Sequence, residues 1–310
     1  MDRREFLKAL AAAGALVTIK SNGLMDVMAA TSSKGSKAVD MAAVLNGEPA
    51  AMLDAALKEL GGIEKFVKKG QKVVLKPNIG WARTPELGAN TNPELVARMV
   101  QLCLEAGAAE VKVFDHSCDN WVRCYDLSGI QKAVEAAGGI MVPADNISYY
   151  EKVELPKAKV LKDALVHKAI LDCDVWFNMP VLKTHGGAKL TISMKNLMGI
   201  VWDRRAIHSK GLHESIADLT TFHKPAALNI VDAYRIMTAN GPQGRSENDV
   251  ALTKALFASA DIVAVDTAAV KFFNQFKSMS LEEVGHIAQA QALGMGTMDL
   301  ESLNVKRVKL

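Results

Sequence analysis

The sequence predicts an α/β protein with a mainly parallel β-sheet and helices on both faces. A strand-like segment at 72–75, a helix-like segment that ends at Gly107 and a second strand-like segment at 110–114 follow one another, which is the order of a parallel β-α-β crossover. Residues 175–182 are mostly apolar over the length of one strand, as in interior strands that are buried on both faces. Together these observations favour an open, mainly parallel sheet.

Helices are predicted where apolar residues recur at three- and four-residue spacing. Asn92 before Pro93 is a typical helix start, and Asp261 stands before a long apolar run. Ser280 and Glu283 have the spacing of a capping box. The predicted helices lie at 49–69, 93–106, 127–137, 164–171, 214–222, 262–273 and 280–292.

Strands are predicted where short apolar or alternating runs lie between turn residues. Residues 152–155 and 159–161 are expected to pair with each other. The basic, alternating tail at 303–310 predicts an edge strand. The predicted strands lie at 72–75, 110–114, 140–143, 152–155, 159–161, 175–182, 227–231 and 303–310.

The first thirty residues have the layout of an export signal. Arg3-Arg4 and the residues after them resemble the twin-arginine signal, an address read by the translocase that carries folded proteins across a membrane. The apolar stretch that follows is too short for a bilayer core of roughly 30 Å. We therefore expect a signal peptide at 1–30, a linker at 31–45 and a single large α/β domain at 46–310. The protein would be periplasmic or otherwise exported, have the twin-arginine translocase as a partner, and keep no stable membrane span after processing.

The composition is that of a globular protein and excludes several classes of function. Hydrophobic residues make up 49% and charged residues 23%, which argues against disorder. The net charge of +3 is small and no nucleic-acid-binding signature accompanies it, so no nucleic-acid partner is expected. GxGxxG, the Walker loop and GxSxG are absent, which argues against dinucleotide, nucleoside-triphosphate and serine-hydrolase sites.

Polar side chains appear where four of the predicted strands end. Because the carboxyl ends of parallel strands share one edge of a sheet, these side chains are expected to lie close together and to form a ligand site. Gly186-Gly187 would allow backbone amides to approach an anion. The strand-end residues are Lys76, Asn78, Asp115, His116, Lys183, His185 and Asp232.

The lysines and amides of this edge suit a small anionic ligand. Lys76, Lys183 and Lys195 would supply positive charge, while Asn78 and Asn196 would fix the orientation of a carboxylate or phosphate. Lys195 lies among apolar neighbours, where an unpaired charge is costly. A lysine desolvated in this way could have a lowered pKa and act as a base or nucleophile, and simple pairing with an opposite charge is the alternative.

A metal site is a further alternative, built from histidines. His185, His208 and His213, with Asp232 as the carboxylate, supply the ligand types of a zinc or iron site. Their spacing is not diagnostic, because neither HExxH nor HxH occurs. His185 is thus a candidate for acid–base work or for ligation of a divalent metal.

The cysteines provide a redox alternative. Cys118 and Cys124 flank a polar, aromatic loop and could form a short-loop disulfide, hold a metal or iron–sulfur cluster, or remain free thiols. The sequence does not choose among these. Cys103 and Cys173 lie in apolar segments and are expected to be buried.

Several blocks of the chain resemble the domain-of-unknown-function 362 family. These blocks are VVLKPNIG, TNPELVARMVQLCLEAGAAEVKVFD, DVWFNMPVLKTHGGAKLTISMKNLMGIV, NIVDAYRIMTANGPQG and ASADIVAVDTAAV, which occur in that order between residues 72 and 296. The resemblance implies an α/β domain of unassigned activity, which in some relatives is joined to ferredoxin-like iron–sulfur modules. This chain has no CxxCxxC run, so such a module cannot be carried over. The family's recurrent blocks look similar to Lys76-x-Asn78, Lys183-x-His185, Lys195-Asn196, Asp232, Gly241-Pro242 and Asp266 here.

These observations favour an exported α/β enzyme or ligand-binding protein that acts on a small anionic molecule. Lys195 and His185 are the candidate catalytic residues, and Asp232 would contribute a carboxylate. Metal assistance, an iron–sulfur or other redox centre at Cys118 and Cys124, and a non-catalytic interaction scaffold are the alternatives.

Overall fold

The computed structural model describes residues 38–310. The predicted twin-arginine signal and the first part of the predicted linker lie outside these residues. Within the described range, no helix has both the length and the apolar character needed to cross a membrane.

A ten-stranded mixed sheet forms the centre of the fold. Its main strands run in the order β12-β1-β11-β10-β7-β2-β3-β4, and β8 extends it by pairing with β10 and β9. The strands β5 and β6 form a separate hairpin. The strands are β1 (Met41–Leu45), β2 (Lys72–Pro77), β3 (Glu110–Val113), β4 (Ile140–Met141), β5 (Tyr150–Glu154), β6 (Asp163–His167), β7 (Val175–Met179), β8 (Val181–His185), β9 (Lys189–Thr191), β10 (Leu228–Met237), β11 (Val250–Ser259) and β12 (Val305–Lys309).

The sheet is mainly parallel, as predicted. The central strands β10, β7, β2, β3 and β4 run parallel to one another, and β12 runs parallel to β1. Only β11 and β9 run antiparallel to their neighbours. The carboxyl ends of β2, β3 and β8 therefore come together at one edge.

Ten helices surround the sheet within the described residues. Apolar residues of the first four pack with β2, β3 and β7 into one core. On the other side, α9 packs on β10 and β11 and contacts α6 and α10. The helices are α1 (Pro49–Glu59), α2 (Pro93–Glu105), α3 (Trp121–Leu127), α4 (Ile130–Ala136), α5 (Lys168–Asp172), α6 (Ser193–Asn196), α7 (Arg204–Ser209), α8 (Leu212–Leu219), α9 (Ile262–Phe273) and α10 (His286–Ala292).

Two strands differ from the prediction because their pairing is long-range. Residues Met41–Leu45 form the fully buried strand β1, so the predicted linker ends before residue 41. Its partner β11 and the helix α9 form one nearly continuous apolar segment of the sequence. Only Ser259-Ala260-Asp261 marks the boundary between the strand and the helix.

The predicted strand at 175–182 is divided into two. Pro180 has no backbone N–H to donate to a ladder, and the chain changes partners there. Before it, β7 pairs with β2 and β10; after it, β8 pairs with β10 and β9.

Two further predictions differ from the structure. The segment 163–167, which was predicted to lie partly in a helix, is β6, and it pairs with β5 in place of 159–161. The predicted helix at 280–292 begins only at His286 as α10. Ser280 and Glu283 nevertheless make the predicted reciprocal contacts, in a turn.

A buried carboxylate holds the connection between β5 and β6. Asp218 of α8 is 1% exposed and accepts hydrogen bonds from the backbone N–H groups of Lys159 and Val160, each at 2.7 Å, and of Leu161 at 2.8 Å. Three consecutive donors of a loop thus depend on one side chain.

We expect Asp218→Ala to lower the free energy of unfolding by about 3 kcal/mol, because it leaves these donors without a protein partner. Urea unfolding followed by circular dichroism measures the loss. The control is Asp163→Ala, whose carboxylate is 49% exposed and pairs only with Lys152. Equal stability of the two variants would contradict the assigned role of Asp218.

Candidate functional site

A cavity of about 270 Å³ lies at the carboxyl ends of β2, β3 and β8. The loops after these strands and the segment from α6 to α7 close its sides. Basic and amide side chains dominate the lining. The lining residues are Lys76, Asn78, Gly80, Trp81, Asp115, His116, Cys118, Lys183, His185, Thr191, Lys195, Asn196, Met198, Gly199, Arg204, His208 and Pro242.

A buried ion pair forms the base of the cavity. Lys76 Nζ lies 2.8 Å from Asp115 Oδ1, and the two side chains are only 1% and 3% exposed. Burial lowers the pKa of Lys76, while the charge of Asp115 opposes that shift. The second carboxylate oxygen of Asp115 accepts the backbone N–H of Ile79 at 2.7 Å. The pair thus joins the ends of β2 and β3.

Asn196 is the link between this pair and α6. Its Oδ1 accepts hydrogen bonds from Lys76 Nζ at 2.7 Å and from Asn78 Nδ2 at 3.1 Å. Its Nδ2 donates to the carbonyl oxygen of Lys76 at 3.2 Å and to Asn178 Oδ1 at 2.9 Å. With all four bonds made, the side chain has a fixed orientation.

Lys183 is buried without a carboxylate partner. The side chain is 1% exposed, and Nζ donates to Asn78 Oδ1 at 3.0 Å and to the carbonyl oxygen of Ala89. Burial, together with the neighbouring charge of Lys195, lowers the pKa of Lys183 to about 7. Its charge is therefore solvated only by neutral oxygens of the protein.

The side chain of Lys195 makes no hydrogen bond or ion pair with any residue in 38–310. It projects from the short helix α6 between buried apolar neighbours and is itself partly buried. Desolvation lowers the pKa of Lys195 to about 8, and the charges of Arg204 and Lys76 act in the same direction. The sequence-based expectation of a costly lysine charge at this position is consistent with this environment.

His185 is held in one tautomer at the end of β8. Its Nδ1 accepts the backbone N–H of Ala188 at 3.0 Å, so the neutral ring carries its proton on Nε2. Burial and the charges of Lys195 and Lys183 lower the pKa of His185 to about 3. The ring is thus a neutral hydrogen-bond donor near pH 7.

Arg204 is a cation of the site that the sequence alone does not indicate. Its guanidinium donates to the carbonyl oxygens of His116 at 2.8 Å and Ser117 at 2.7 Å, and to Cys118 Sγ at 3.0 Å. The sequence shows only that Arg204 lies in the polar stretch after the mostly apolar block 192–201. No local pattern indicates that Arg204, and not Arg205, belongs to the site.

Asp232 does not line the cavity. Its Oδ2 accepts the N–H of Asn92 at 2.7 Å and its Oδ1 accepts the N–H of Tyr234 at 3.0 Å. Burial raises the pKa of Asp232 to about 6. The reason for the difference is that β10 continues to Met237, so Asp232 lies within the strand and not at its end.

The three histidines of the proposed metal site are not brought together. His185 and His208 line the cavity, whereas His213 stacks on His286 with ring centroids 5.2 Å apart. The described part of the chain holds no group of three or more His, Cys, Asp or Glu side chains placed to bind a metal ion. The sequence missed this because it cannot show which way α8 turns His213.

The two cysteines of the redox alternative also lie in different surroundings. Both are free thiols in this structure. Cys118 is exposed and lines the cavity, whereas Cys124 lies on the buried face of α3 in the hydrophobic core. Burial raises the pKa of Cys124 to about 11.

The backbone of Gly199 packs against the buried ion pair. Its carbonyl oxygen accepts the N–H of His116 at 3.1 Å. A Cβ at position 199 would lie 1.9 Å from Asp115 Oδ1 and 2.5 Å from Lys76 Nζ. Any side chain at this position would therefore displace the pair.

Comparisons with known proteins concern mainly this central region. The model of the family described as "Domain of unknown function (DUF362)" matches residues 73–271. A thylakoid-associated protein from Synechocystis sp. strain PCC 6803 is 29% identical over 238 residues, which cover 71% of this chain and 68% of that protein.

Two solved structures are similar at low sequence identity. The lactate racemase apoprotein from Thermoanaerobacterium thermosaccharolyticum gives a TM-score of 0.46 at 11% identity, over 76% of this chain and 58% of that one. A Thermotoga maritima protein gives a TM-score of 0.44 at 13% identity, over 80% and 60%. This chain thus spans about three-fifths of the length of each.

We expect Gly199→Ala to lower the free energy of unfolding by about 1–3 kcal/mol, because the added methyl group overlaps the ion pair. The matched control is Gly186→Ala, since nothing lies within 4 Å of a Cβ at that exposed position. The control should stay within about 0.5 kcal/mol of the original protein in urea unfolding. A neutral Gly199→Ala would show that the pair is not packed against this backbone.

Proposed function

The chain belongs to the DUF362 family, a domain of unknown function, and we propose that it binds a small anionic molecule in the cavity at the strand ends. One observation carries this proposal: four Lys or Arg side chains line the cavity and Asp115 is the one Asp or Glu among its described lining residues. The four cations are Lys76, Lys183, Lys195 and Arg204.

The charge balance favours an anion as the missing partner. Asp115 neutralises Lys76, which leaves Lys183, Lys195 and Arg204 without a carboxylate among the cavity residues. Burying such charges costs free energy, and the lowered pKa values of Lys183 and Lys195 reflect that cost. A bound anion would restore the protonated lysines and offset part of it.

The arrangement also suits chemistry on the bound molecule, in which Lys195 and His185 act. A lysine with a pKa of about 8 exchanges protons near neutral pH and is suited to act as a general acid or base. Neutral His185 would donate a hydrogen bond from Nε2 to an oxygen of the ligand. Asn78 and Asn196 already make hydrogen bonds to Lys183 and Lys76, so they position these lysines and do not bind the ligand directly.

Export by the twin-arginine route stays a prediction from residues 1–30, which lie outside the described range. A non-catalytic interaction scaffold is the alternative to this proposal. A scaffold does not require an anion site at these lysines, so the experiments below distinguish the two.

We expect sulfate or phosphate to raise the melting temperature of the protein, and Lys195→Met to remove most of that rise. A ligand at 100 times its Kd adds about 2.7 kcal/mol to the free energy of unfolding. Without anion, the variant should melt at the same or a higher temperature, because a desolvated charge has been removed. Differential scanning fluorimetry measures both effects.

The control for this variant is Lys132→Met, an exposed lysine on α4 outside the cavity. It should retain the full anion-dependent rise. An equal rise in melting temperature in all three proteins would mean that the anions act at the general surface, and this result would favour the scaffold role.

We also expect anion affinity to fall as pH rises from 6 to 9. Lys183 and Lys195, with pKa values of about 7 and about 8, lose their charges in this window, and the neutral amines attract an anion less. Sulfate keeps its charge throughout, so only the protein titrates. Calorimetric titration should show Kd weaker by about tenfold or more at pH 9, equivalent to about 1.4 kcal/mol. A constant Kd across this range would contradict the assignment.

A further inference from the structure

Cys118 is the one exposed cysteine of the four in the sequence, and it lines the cavity. Cys103, Cys124 and Cys173 are buried. The backbone N–H of Cys118 donates to the carbonyl oxygen of Gly80 at 2.9 Å, which holds the residue at the mouth. Its thiol group is therefore both accessible and fixed in place.

A guanidinium group lies against the sulfur. Arg204 Nη1 donates to Cys118 Sγ at 3.0 Å, and since guanidinium groups only donate, the sulfur is the acceptor. The two carbonyl contacts of Arg204 keep this cation beside the sulfur. Arg204 therefore places a fixed positive charge directly beside the sulfur atom, and this charge also attracts an anionic molecule that reaches Cys118.

The rest of the cavity supplies a second, independent feature, a set of cations that face the same space. The side chain of Lys195 has no hydrogen-bond partner among the described residues, and that of Lys183 has only neutral partners. An anionic molecule drawn to these lysines would lie in the same cavity as the sulfur. Local enrichment of an anion in such a cleft increases its encounter rate about 10-fold to 1,000-fold.

We propose that Cys118 is a nucleophile for small anionic molecules that carry an electrophilic carbon. This inference rests on the anion-binding function proposed above and adds the reacting atom. In the step, Sγ forms a bond to the electrophilic carbon, the bond from that carbon to its leaving group breaks, and the leaving group departs with the bonding electrons. The thiol proton passes to solvent, which the exposed position of Cys118 allows.

Alkylation of the native protein tests the proposal, with iodoacetate as the anionic probe and iodoacetamide as its neutral counterpart. The ratio of the two rates at Cys118 should exceed that of 2-mercaptoethanol, a neutral reference thiol, by about tenfold or more. Intact-mass spectrometry should show one added group in the native protein and none in Cys118→Ser. Sulfate should slow the reaction with iodoacetate.

Matched variants separate charge attraction from simple exposure. Lys195→Met should slow iodoacetate more than iodoacetamide, so that the ratio of the two rates falls several-fold, whereas Lys132→Met should leave that ratio unchanged. If Cys118 shows no preference for iodoacetate while sulfate still stabilises the protein through Lys195, the nucleophile is overturned and the anion site stands. If neither sulfate stabilisation nor the preference is observed, both proposals fail.

Discussion

The buried contact between Lys76 and Asp115 is the interaction on which the cavity depends. It joins two neighbouring strand ends over 2.8 Å, almost out of contact with water. The side chain of Asn196 accepts a hydrogen bond from the lysine, and the backbone N–H of Ile79 donates one to the carboxylate. Because Gly199 has no side chain, it leaves room for the ion pair. A buried pair of this kind adds little net stability, because desolvation offsets the attraction, but losing one partner is costly. The ion pair instead fixes the positions of α6 and of the loop after β3, which both pack against it.

The same contact also determines the charge balance of the rest of the cavity. Once Asp115 is committed to Lys76, the lysines at 183 and 195 share the cavity with Arg204 and lack an acidic partner there. A chain selected for stability alone would replace them with apolar side chains. Their retention inside the fold is understandable if a ligand supplies the missing negative charge. The depressed lysine pKa values and the proposed anion are therefore two consequences of one arrangement.

Much of the cavity could be predicted from the sequence because parallel strands end at a common edge. Lys76 and Asn78 lie near and just after the end of β2, Lys183 and His185 lie in β8, and the structure places all four in the cavity lining. The same reasoning failed for Asp232, since a bulged β10 runs on past it and pairs with β8.

What the sequence could not supply was information about distant contacts. β1 is found only through its pairing with β11, more than 200 residues away in the chain. Arg204 and Cys118 meet across 86 residues, and neither has a local motif that indicates the other. His213 turns towards His286 and away from the site, a direction set by the packing of α8 on α10.

The proposed anion would lie in the cavity between Lys195, Lys183 and Arg204. Crystals grown with selenate, a tetrahedral dianion, would test it through the anomalous signal of selenium, with crystals of the Lys195→Met variant as the comparison. We predict a selenium peak inside the cavity, with selenate oxygens within hydrogen-bonding distance of Lys195 Nζ, and a weaker or absent peak in the variant. Peaks confined to the outer surface, with the cavity unchanged between the two proteins, would show that the cavity does not bind the anion.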